Sequence, residues 1–334
     1  MNIKKVNLQL FADLNAQTTG TASLSPEMKT YYSDYLIDNA TPKLVHDQFG
    51  QKHPIPKNGG KTIEFRKYSP LPKLTTPIQE GVTPDGQSLS VSTVTATVAQ
   101  YGGYVTLTDV LLLTAIDNNL VQATKLLGNQ AGATLDTITR EVLNGGTNVV
   151  YSGGVSSRTA LSGGNAGDED NCYLTVDDIK KAVRALKNQN AEKIDGNYVA
   201  IIHPDVSYDL TNDPAWKAPH EYVDTENIYS GEIGRIGGVR FVETTEAKVW
   251  ANAAGSGRAV YSTLVLGENA YGVTDIAGGG LQHIVKQLGS AGTADPLEQR
   301  ATVGWKAIKV AERLVENYMV RIESCSTFNP SESN

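Results

Sequence analysis

Two hydrophobic periods divide the chain. From Lys61 to Arg66 polar and apolar residues alternate, with Ile63 and Phe65 on one side, which is the period of a β-strand. Leu89 to Val98 consists mainly of Ser, Thr and Val, a composition that is also typical of strands. A stretch with prolines at positions 70, 72, 77 and 84 separates these segments. Because so long a loop is unusual inside a compact domain, we predict a projecting, extended hairpin that packs on a neighbouring molecule.

A helical period follows the hairpin. Apolar residues recur at three- and four-residue steps from Thr108 to Leu143, and a pair of glycines ends the run. The pattern therefore predicts one unusually long helix. Gly128 and Gly132 lie inside it, and each costs roughly 1 kcal/mol relative to alanine. These glycines indicate close packing, bending or a break.

The rest of the chain mixes helices and strands, so the predicted fold class is α+β. A helix is predicted over Thr175–Asn188, with Thr175 as its N-cap. Two short helices are predicted over residues 25–41 and 42–49. The last residues, from Phe328 to Asn334, are predicted to fray. Apolar runs predict strands at Tyr198–Ile202, Val239–Val242, Ala259–Leu266, Ala301–Val310 and Tyr318–Ile322.

Composition places the chain among ordinary globular proteins. Its 334 residues are 40% apolar and 19% charged, which is enough to bury a substantial core. The net charge is -7, and no dense run of Lys and Arg is present. Proteins that hold phosphates tightly usually carry a basic face. Nucleic acid near this protein is therefore expected to be contained rather than bound.

The cysteines and the first residues bear on where the protein is made. Cys172 and Cys325 are the two cysteines, and their separation suits neither a disulfide framework nor a zinc site. The segment from Met1 to Ala12 is too short and too polar for a signal peptide. Since no apolar run has membrane-spanning length, no membrane partner is expected. We therefore expect the protein to be made in a cytoplasm.

Residues that hint at catalysis form no complete site. Gly60, Lys61 and Thr62 match the end of a P-loop, but the position of its first glycine holds Ile55. A Ser/His/Asp site near residues 203–207 would have its members too close in the chain for a typical triad, and Asp205 is predicted to cap a helix instead. The histidines lack metal-ligand spacing. We predict no catalytic residue, no metal, no cofactor and no enzymatic activity.

Several stretches together resemble a known family. In chain order they are Pro56–Arg66, Glu80–Pro84, Gln100–Asp109, Asn144–Tyr151, Ile202–Val206, Gly237–Thr244, Asp295–Leu297 and Val303–Lys306. The ordered set, spread over residues 25–328, resembles the major capsid proteins of tailed bacteriophages with the Hong Kong 97-like fold. Among these it is similar to the capsid family typified by coliphage N-four.

The resemblance implies an α+β architecture with a defined order of parts. Residues 1–56 would be an N-terminal arm and residues 57–106 an extended β-hairpin loop. Residues 107–171 would be a peripheral domain with a long spine helix, and residues 172–290 an α+β axial domain. Residues 291–328 would return as C-terminal strands to the peripheral domain, and residues 329–334 would be a tail.

The resemblance also implies a function. The chain would be a head protein that self-assembles, as hexamers and pentamers, into an icosahedral shell around phage double-stranded DNA, without sequence-specific binding. It would be assembled in the bacterial host cytoplasm and remain in the virion. The implied partners are further copies of itself, a scaffolding protein, a portal protein and, as a further candidate, a decoration protein. The residues predicted to act are Lys61, Ile63, Phe65, Arg66 and Glu80 in the extended loop and Gly128 and Gly132 as a helix hinge.

Other interpretations remain open from sequence. The same fold could form an encapsulin-like nanocompartment around protein cargo. An α+β hydrolase would need a nucleophile and a base that converge, and a surface adhesin would need a secretion signal. Some relatives of the fold join a lysine to an asparagine of a neighbour, but no such asparagine is identified here. Lysines in or near the extended loop are Lys57, Lys61, Lys67 and Lys73.

Overall fold

The computed structural model of the chain contains both helices and sheets, which confirms the α+β class. It describes residues 16–17, 45–68, 71–77, 79–81, 83, 85–114, 119–162, 172–216, 232–274, 281–290 and 295–334. The predicted helix over residues 25–41 and most of the predicted arm lie outside these ranges. The described end of the second predicted helix, residues 45–50, forms turns rather than a helix.

The described secondary structure consists of short helices, one long helix and many strands. The helices are α1 Asp109–Thr114, α2 Asn119–Asn144, α3 Val176–Asn188 and α4 Pro204–Asn212. The strands are β1 Ala16–Gln17, β2 Gln51–Lys52, β3 Thr62–Tyr68, β4 Val91–Thr97, β5 Ala99–Thr108, β6 Val149–Tyr151, β7 Tyr198–Ile202, β8 Glu232–Ile236, β9 Val239–Glu243, β10 Val249–Trp250, β11 Val260–Leu266, β12 Tyr271–Thr274, β13 Gln282–Lys286, β14 Arg300–Arg313 and β15 Met319–Ser324.

The chain divides into two compact units. The first unit comprises residues 1–42, 100–134 and 279–308. In it, β5 lies between β1 and the beginning of β14, and β13 pairs with β14 in antiparallel orientation. The indole nitrogen of Trp305 donates a hydrogen bond to Gln130 of α2 at 3.3 Å. This bond joins the sheet of the first unit to the helix beside it.

The second unit comprises residues 43–99, 135–278 and 309–334. Its main sheet has the strand order β6-β15-β11-β7-β9-β8, and β10 pairs with β11. The pairs β6/β15 and β7/β9 are parallel, and the other pairs are antiparallel. Every residue of β7, β11 and β15 is buried, as the continuous apolar runs predict. These three strands therefore form the centre of the core.

Helix α3 covers this sheet as the sequence predicts. Ile179, Ala182 and Leu186 are buried in the same apolar cluster as the central strands. The hydroxyl of Thr175 accepts a hydrogen bond from the backbone N–H of Asp178, and the Asp178 carboxylate accepts one from the backbone N–H of Thr175. This reciprocal capping box satisfies two donors that a helix start otherwise leaves unpaired. The predicted N-cap is confirmed.

The long helical run differs from its prediction. The structure has two helices, α1 and α2, where one was predicted, and residues 115–118 between them lie outside the described part. Within α1 only Leu111 is buried, while Val110 and Leu113 are exposed. Strand β5 was not predicted at all. It contains Gly102 and Gly103, which weaken the strand pattern, although a side chain at Gly102 would lie 2.7 Å from the carbonyl oxygen of Trp305.

The prediction that the last residues fray is wrong. The side chain of Asn334 accepts a hydrogen bond from the backbone N–H of Val249 at 2.8 Å and donates one to the carbonyl of Ala247 at 2.7 Å. The Ser333 hydroxyl accepts one from the backbone N–H of Ala251 at 2.8 Å. These side chains therefore form hydrogen bonds with backbone groups at and beside β10. At a sheet edge such groups otherwise remain exposed.

Candidate functional site

A two-stranded hairpin leaves the body of the second unit. β3 and β4 pair in antiparallel register without a break, from Thr62 opposite Thr97 to Tyr68 opposite Val91. The hairpin begins after a turn with positive φ at Asn58 and Gly60, and the backbone N–H of Val98 closes its base on the carbonyl of Lys61 at 2.9 Å. In the described part of the chain this sheet has two strands only. Such a hairpin is marginal alone, so its stability depends on packing elsewhere.

One face of the hairpin base packs on the body. Ile63 and Phe65 are half-buried, and the ring of Phe65 meets the ring of His53 edge-on, with 5.8 Å between centroids. A Cβ at Gly272 would lie 3.1 Å from the Phe65 ring, so β12 approaches the ring closely because residue 272 has no side chain. The alternation predicted from sequence is thus confirmed, and the apolar face anchors the hairpin.

The opposite face and the connection are exposed. Every described residue from 71 to 90 is exposed, including Lys73 and Glu80. Leu71, Leu74 and Leu89 are 50%, 81% and 69% exposed. Large apolar side chains that are exposed in one loop are candidates for burial against another molecule.

A cavity of about 420 Å³ lies at the hairpin base. Its apolar wall includes Phe65 and Val94 from the hairpin and Leu314 and Val315 from the body. His53 contributes a polar group to the same cavity. The hairpin and the body thus line one cavity where they meet.

The predicted loop residues fall into two groups. Ile63 and Phe65 serve the hairpin's own anchorage, whereas Lys61, Arg66 and Glu80 are exposed. The guanidinium Nε of Arg66 lies 3.6 Å from the carboxylate of Glu64, and both side chains are exposed, so this ion pair contributes little to stability. Arg66 remains accessible to a neighbouring molecule. The structure does not bring Glu80 to the other four predicted residues in any described contact.

The two predicted hinge glycines lie in uninterrupted helix. Both belong to α2, so neither marks a break. Gly132 is buried, whereas Gly128 is exposed and a Cβ added there meets no atom within 4 Å. Close packing therefore does not explain Gly128, and bending remains the interpretation for that position.

A buried polar network fixes the chain ahead of β2 to helix α2. The carboxylate of Asp136 accepts the backbone N–H of His46 at 2.9 Å and lies 2.7 Å from its ring Nδ1. The next residue, Asp47, accepts a hydrogen bond from Thr139 at 2.5 Å and is paired with Lys309. Sequence reasoning missed this network, because nothing in the local pattern links residues 90 or more positions apart.

The residues that hinted at hydrolysis have structural roles. His203, not Asp205, is the N-cap of α4, and its Nδ1 accepts the backbone N–H of Asp205 at 3.2 Å. Asp205 instead accepts the hydroxyl of Tyr261 at 2.6 Å. Burial, followed by this hydrogen bond, raises the pKa of Tyr261, and burial lowers the pKa of His203. Ser207 is buried within α4. The predicted capping role of Asp205 is wrong.

In the ranges that the structure describes, no three or more His, Cys, Asp or Glu side chains are grouped so that they could hold a metal ion. In the same part of the chain, no helix combines the length and the apolar character that crossing a bilayer requires.

The described geometry combines an α+β body, a hairpin that is anchored at its base, and a long helix, and comparisons with known proteins identify the class of protein that has this fold. The sequence profile of a family described as phage capsid protein matches residues 2–287. The chain therefore belongs to the phage capsid protein family. No curated protein matches the chain.

Solved capsids share the fold. The chain is similar to the capsid of Ralstonia phage GP4, with a TM-score of 0.65, 16% identity and coverage of 87% of this chain and 90% of that one. It is similar to the capsid of Cyanophage P-SCSP1u, with a TM-score of 0.64, 13% identity and coverage of 92% and 96%. For the capsid of Cyanophage Pam1 the TM-score is 0.61, the identity is 16% and coverage is 83% and 89%.

Family and fold together identify a major capsid protein with the Hong Kong 97-like fold, a structural component of the virion. The chain works as one of many copies in a shell. The comparisons give no support to the nanocompartment or to the hydrolase. The resemblance stated from sequence is confirmed.

Proposed function

We propose that the hairpin is the principal device by which copies of this protein bind one another in the shell. The observation that carries the proposal is the exposure of Leu71, Leu74 and Leu89 in the connection of a hairpin whose base packs on the body. In this proposal Leu71 and Leu74 pack on a neighbouring copy, and Lys61, Arg66 and Glu80 form the polar rim around that contact. Burying an exposed leucine is worth about 1.5–3 kcal/mol.

Modest contacts suffice because they are repeated. Each copy would touch several neighbours in hexamers and pentamers, through the hairpin, the arm of residues 1–56 and the peripheral domain of residues 107–171. Once one contact holds a subunit, the next forms at a high effective concentration. Interfaces of ordinary size then give a closed and stable shell. The axial domain of residues 172–290 would surround each capsomer centre, and residues 291–328 would complete the peripheral domain.

The variant that tests this proposal carries Leu71→Asp and Leu74→Asp. Both side chains are exposed, so the change leaves the subunit folded, but it would place two carboxylates in the proposed contact. We expect the yield of closed particles, seen by electron microscopy, to fall at least tenfold. The matched control, Leu71→Met with Leu74→Met, keeps apolar volume and should assemble normally. Equal particle yields from both variants would contradict the proposal.

A second element of the proposal concerns maturation. As DNA fills the shell, α2 would change its curvature at Gly128 and Gly132, the two glycines inside an otherwise strong helix. Replacing both with alanine would stiffen the helix and either trap the immature shell or bypass it. Particle diameters before and after DNA packaging measure this. A double variant that assembles and expands like the wild type would contradict the hinge.

The proposal also covers the partner proteins of the shell and the compartment in which it assembles. A separate scaffolding protein would set the curvature, a portal protein would occupy one vertex, and a decoration protein is a further candidate. The shell would assemble in the bacterial host cytoplasm and enclose double-stranded DNA without reading its sequence. The subunit would have no enzymatic activity and need no cofactor. Co-purification of assembling particles from host cells, followed by mass spectrometry, identifies the scaffold and portal.

A further inference from the structure

Helix α3 carries a line of cations on its exposed face. Lys180, Arg184 and Lys187 are all exposed, while the opposite face of the helix is buried in the core. At 3.6 residues per turn these three side chains fall within an arc of about 60° and span about 10 Å along the helix axis. We call these three residues the α3 basic face. The face is basic although the chain as a whole has a net charge of -7.

The ion pairs within the chain leave this face uncompensated. The neighbouring Lys181 is neutralised by Asp177 at 2.8 Å and Asp178 at 3.2 Å. Among the residues that the structure describes, none forms an ion pair with a member of the α3 basic face. The hydrogen bond from Lys181 and the charge of Lys181 lower the pKa of the Asp177 carboxyl, and the charge of Lys180 adds the smallest contribution.

The stability of helix α3 explains only one of the three cations on its basic face. Lys187 lies in the last turn, where a cation interacts favourably with the helix dipole. Arg184 and Lys180 lie about one and two turns earlier, respectively, beyond the range of that effect. The loop after the helix adds Glu192 and Lys193, whose charges cancel. Two of the three cations therefore have no evident role inside the subunit.

We infer that the α3 basic face contacts the phosphate backbone of the enclosed DNA, an inference that rests on the proposed enclosure of DNA. Helix α3 has no exposed large apolar side chain, whereas a protein partner normally requires an apolar centre to its interface. Phosphate contacts require charge alone and carry no sequence information. Three contacts per subunit are weak singly, but the shell repeats them over its whole inner wall. The α3 basic face would then point toward the interior of the shell.

The test measures the salt dependence of DNA binding. Purified full-length protein is titrated into a fluorescent 20-base-pair duplex at several salt concentrations. Contact with three phosphates gives a slope of log affinity against log salt of about -2.7, or roughly a 40-fold loss between 50 and 200 mM. The variant Lys180→Gln, Arg184→Gln, Lys187→Gln should lower the magnitude of the slope by about 2.7. Glutamine is as good a helix former as lysine, so α3 should keep its structure.

A matched variant controls for net charge. Lys125→Gln, Lys286→Gln and Lys306→Gln remove the same charge from exposed positions in the first unit. This variant should keep the wild-type slope. An unchanged slope in the α3 variant, or an equal change in both variants, would overturn the inference. Tighter binding of poly-glutamate than of DNA would overturn it in favour of an acidic protein partner.

Electron microscopy of the same preparations separates this inference from shell formation. Normal particles with an unchanged salt slope overturn the DNA contact and leave the shell function standing. Normal particles with the reduced slope support the contact. If the wild type forms no particles, the shell proposal fails, and the salt slope still decides whether the α3 basic face binds phosphates.

Discussion

A buried carboxylate in β15 ties three parts of the second unit together. Glu323 has a side chain that is fully buried. It accepts two hydrogen bonds from the guanidinium of Arg158, both at 2.7 Å, and one from Arg321 at 2.9 Å. Arg321 in turn donates to the carbonyls of Asn144 and Gly146, where helix α2 ends. Glu323 therefore holds the end of the long helix against the sheet.

The loss of folding free energy on removal of the Glu323 carboxylate depends on how well Arg158 and Arg321 are paired or solvated without it. Breaking a buried ion pair by removing one partner typically costs about 3–5 kcal/mol. In Glu323→Ala, the Arg158 side chain, already 31% exposed, can turn toward water, and Arg321 keeps its carbonyl partners. We therefore expect the lower limit, about 3 kcal/mol, which is more than a hundredfold in the folding equilibrium. Glu323→Gln keeps the shape and one acceptor and should cost about 2 kcal/mol.

The cluster supplies its own reporter. The guanidinium of Arg158 lies 3.8 Å from the centre of the Trp250 ring. Urea unfolding is followed by the fluorescence of Trp250 in a background where Trp216 and Trp305 are replaced by Phe. Adding Arg158→Ala to Glu323→Ala should cost much less than the sum of the single changes, because the two residues form one unit. A loss below 1 kcal/mol for Glu323→Ala, or additive effects, would refute the reasoning.

Three further outcomes are expected. Gly128→Ala should raise the free energy of unfolding by about 0.5–1 kcal/mol, because the new methyl group meets open space in a helix; a lower melting temperature would contradict this. Glu141 is partly buried, which raises its pKa, but hydrogen bonds from Lys248 and Arg140 outweigh this and hold the pKa below 4.5. Its stabilising effect is complete above pH 4.5 and is lost as the pH falls through its folded pKa, so melting temperatures of Glu141→Gln should vary less with pH in that acidic range than those of the wild type. Asn334→Ala should speed hydrogen exchange at the amide of Val249, whose partner it removes; unchanged exchange would show that the tail does not stay docked.

Local patterns in the sequence were enough to predict the elements that position the hairpin. Alternation over Lys61–Arg66 gave the strand and its buried face, and the capping residue Thr175 located the start of α3. Both signals come from residues a few positions apart, so they can be recognised without knowledge of the tertiary contacts. The family motifs then indicated the Hong Kong 97-like fold, which periodicity alone does not determine.

Features set by distant contacts were not predictable. The docking of Asn334 depends on the free edge beside β10, and the pairing of His46 with Asp136 joins residues 90 positions apart. The α3 basic face was not predicted from the sequence for a different reason. A search for runs of Lys and Arg misses cations at helical spacing, which become neighbours only when the helix forms. The exposure of Leu71 and Leu74 likewise required the fold.

The most direct test of the central claim is the assembly state of the wild-type protein. Purified chain is examined by electron microscopy and light scattering, with and without co-expression of the scaffolding protein that we propose as its partner. We expect rings, tubes or closed shells, with a scattering mass of many subunits. A monomer or small oligomer under every condition, with scaffold present, would contradict the account of this chain as a self-assembling shell protein.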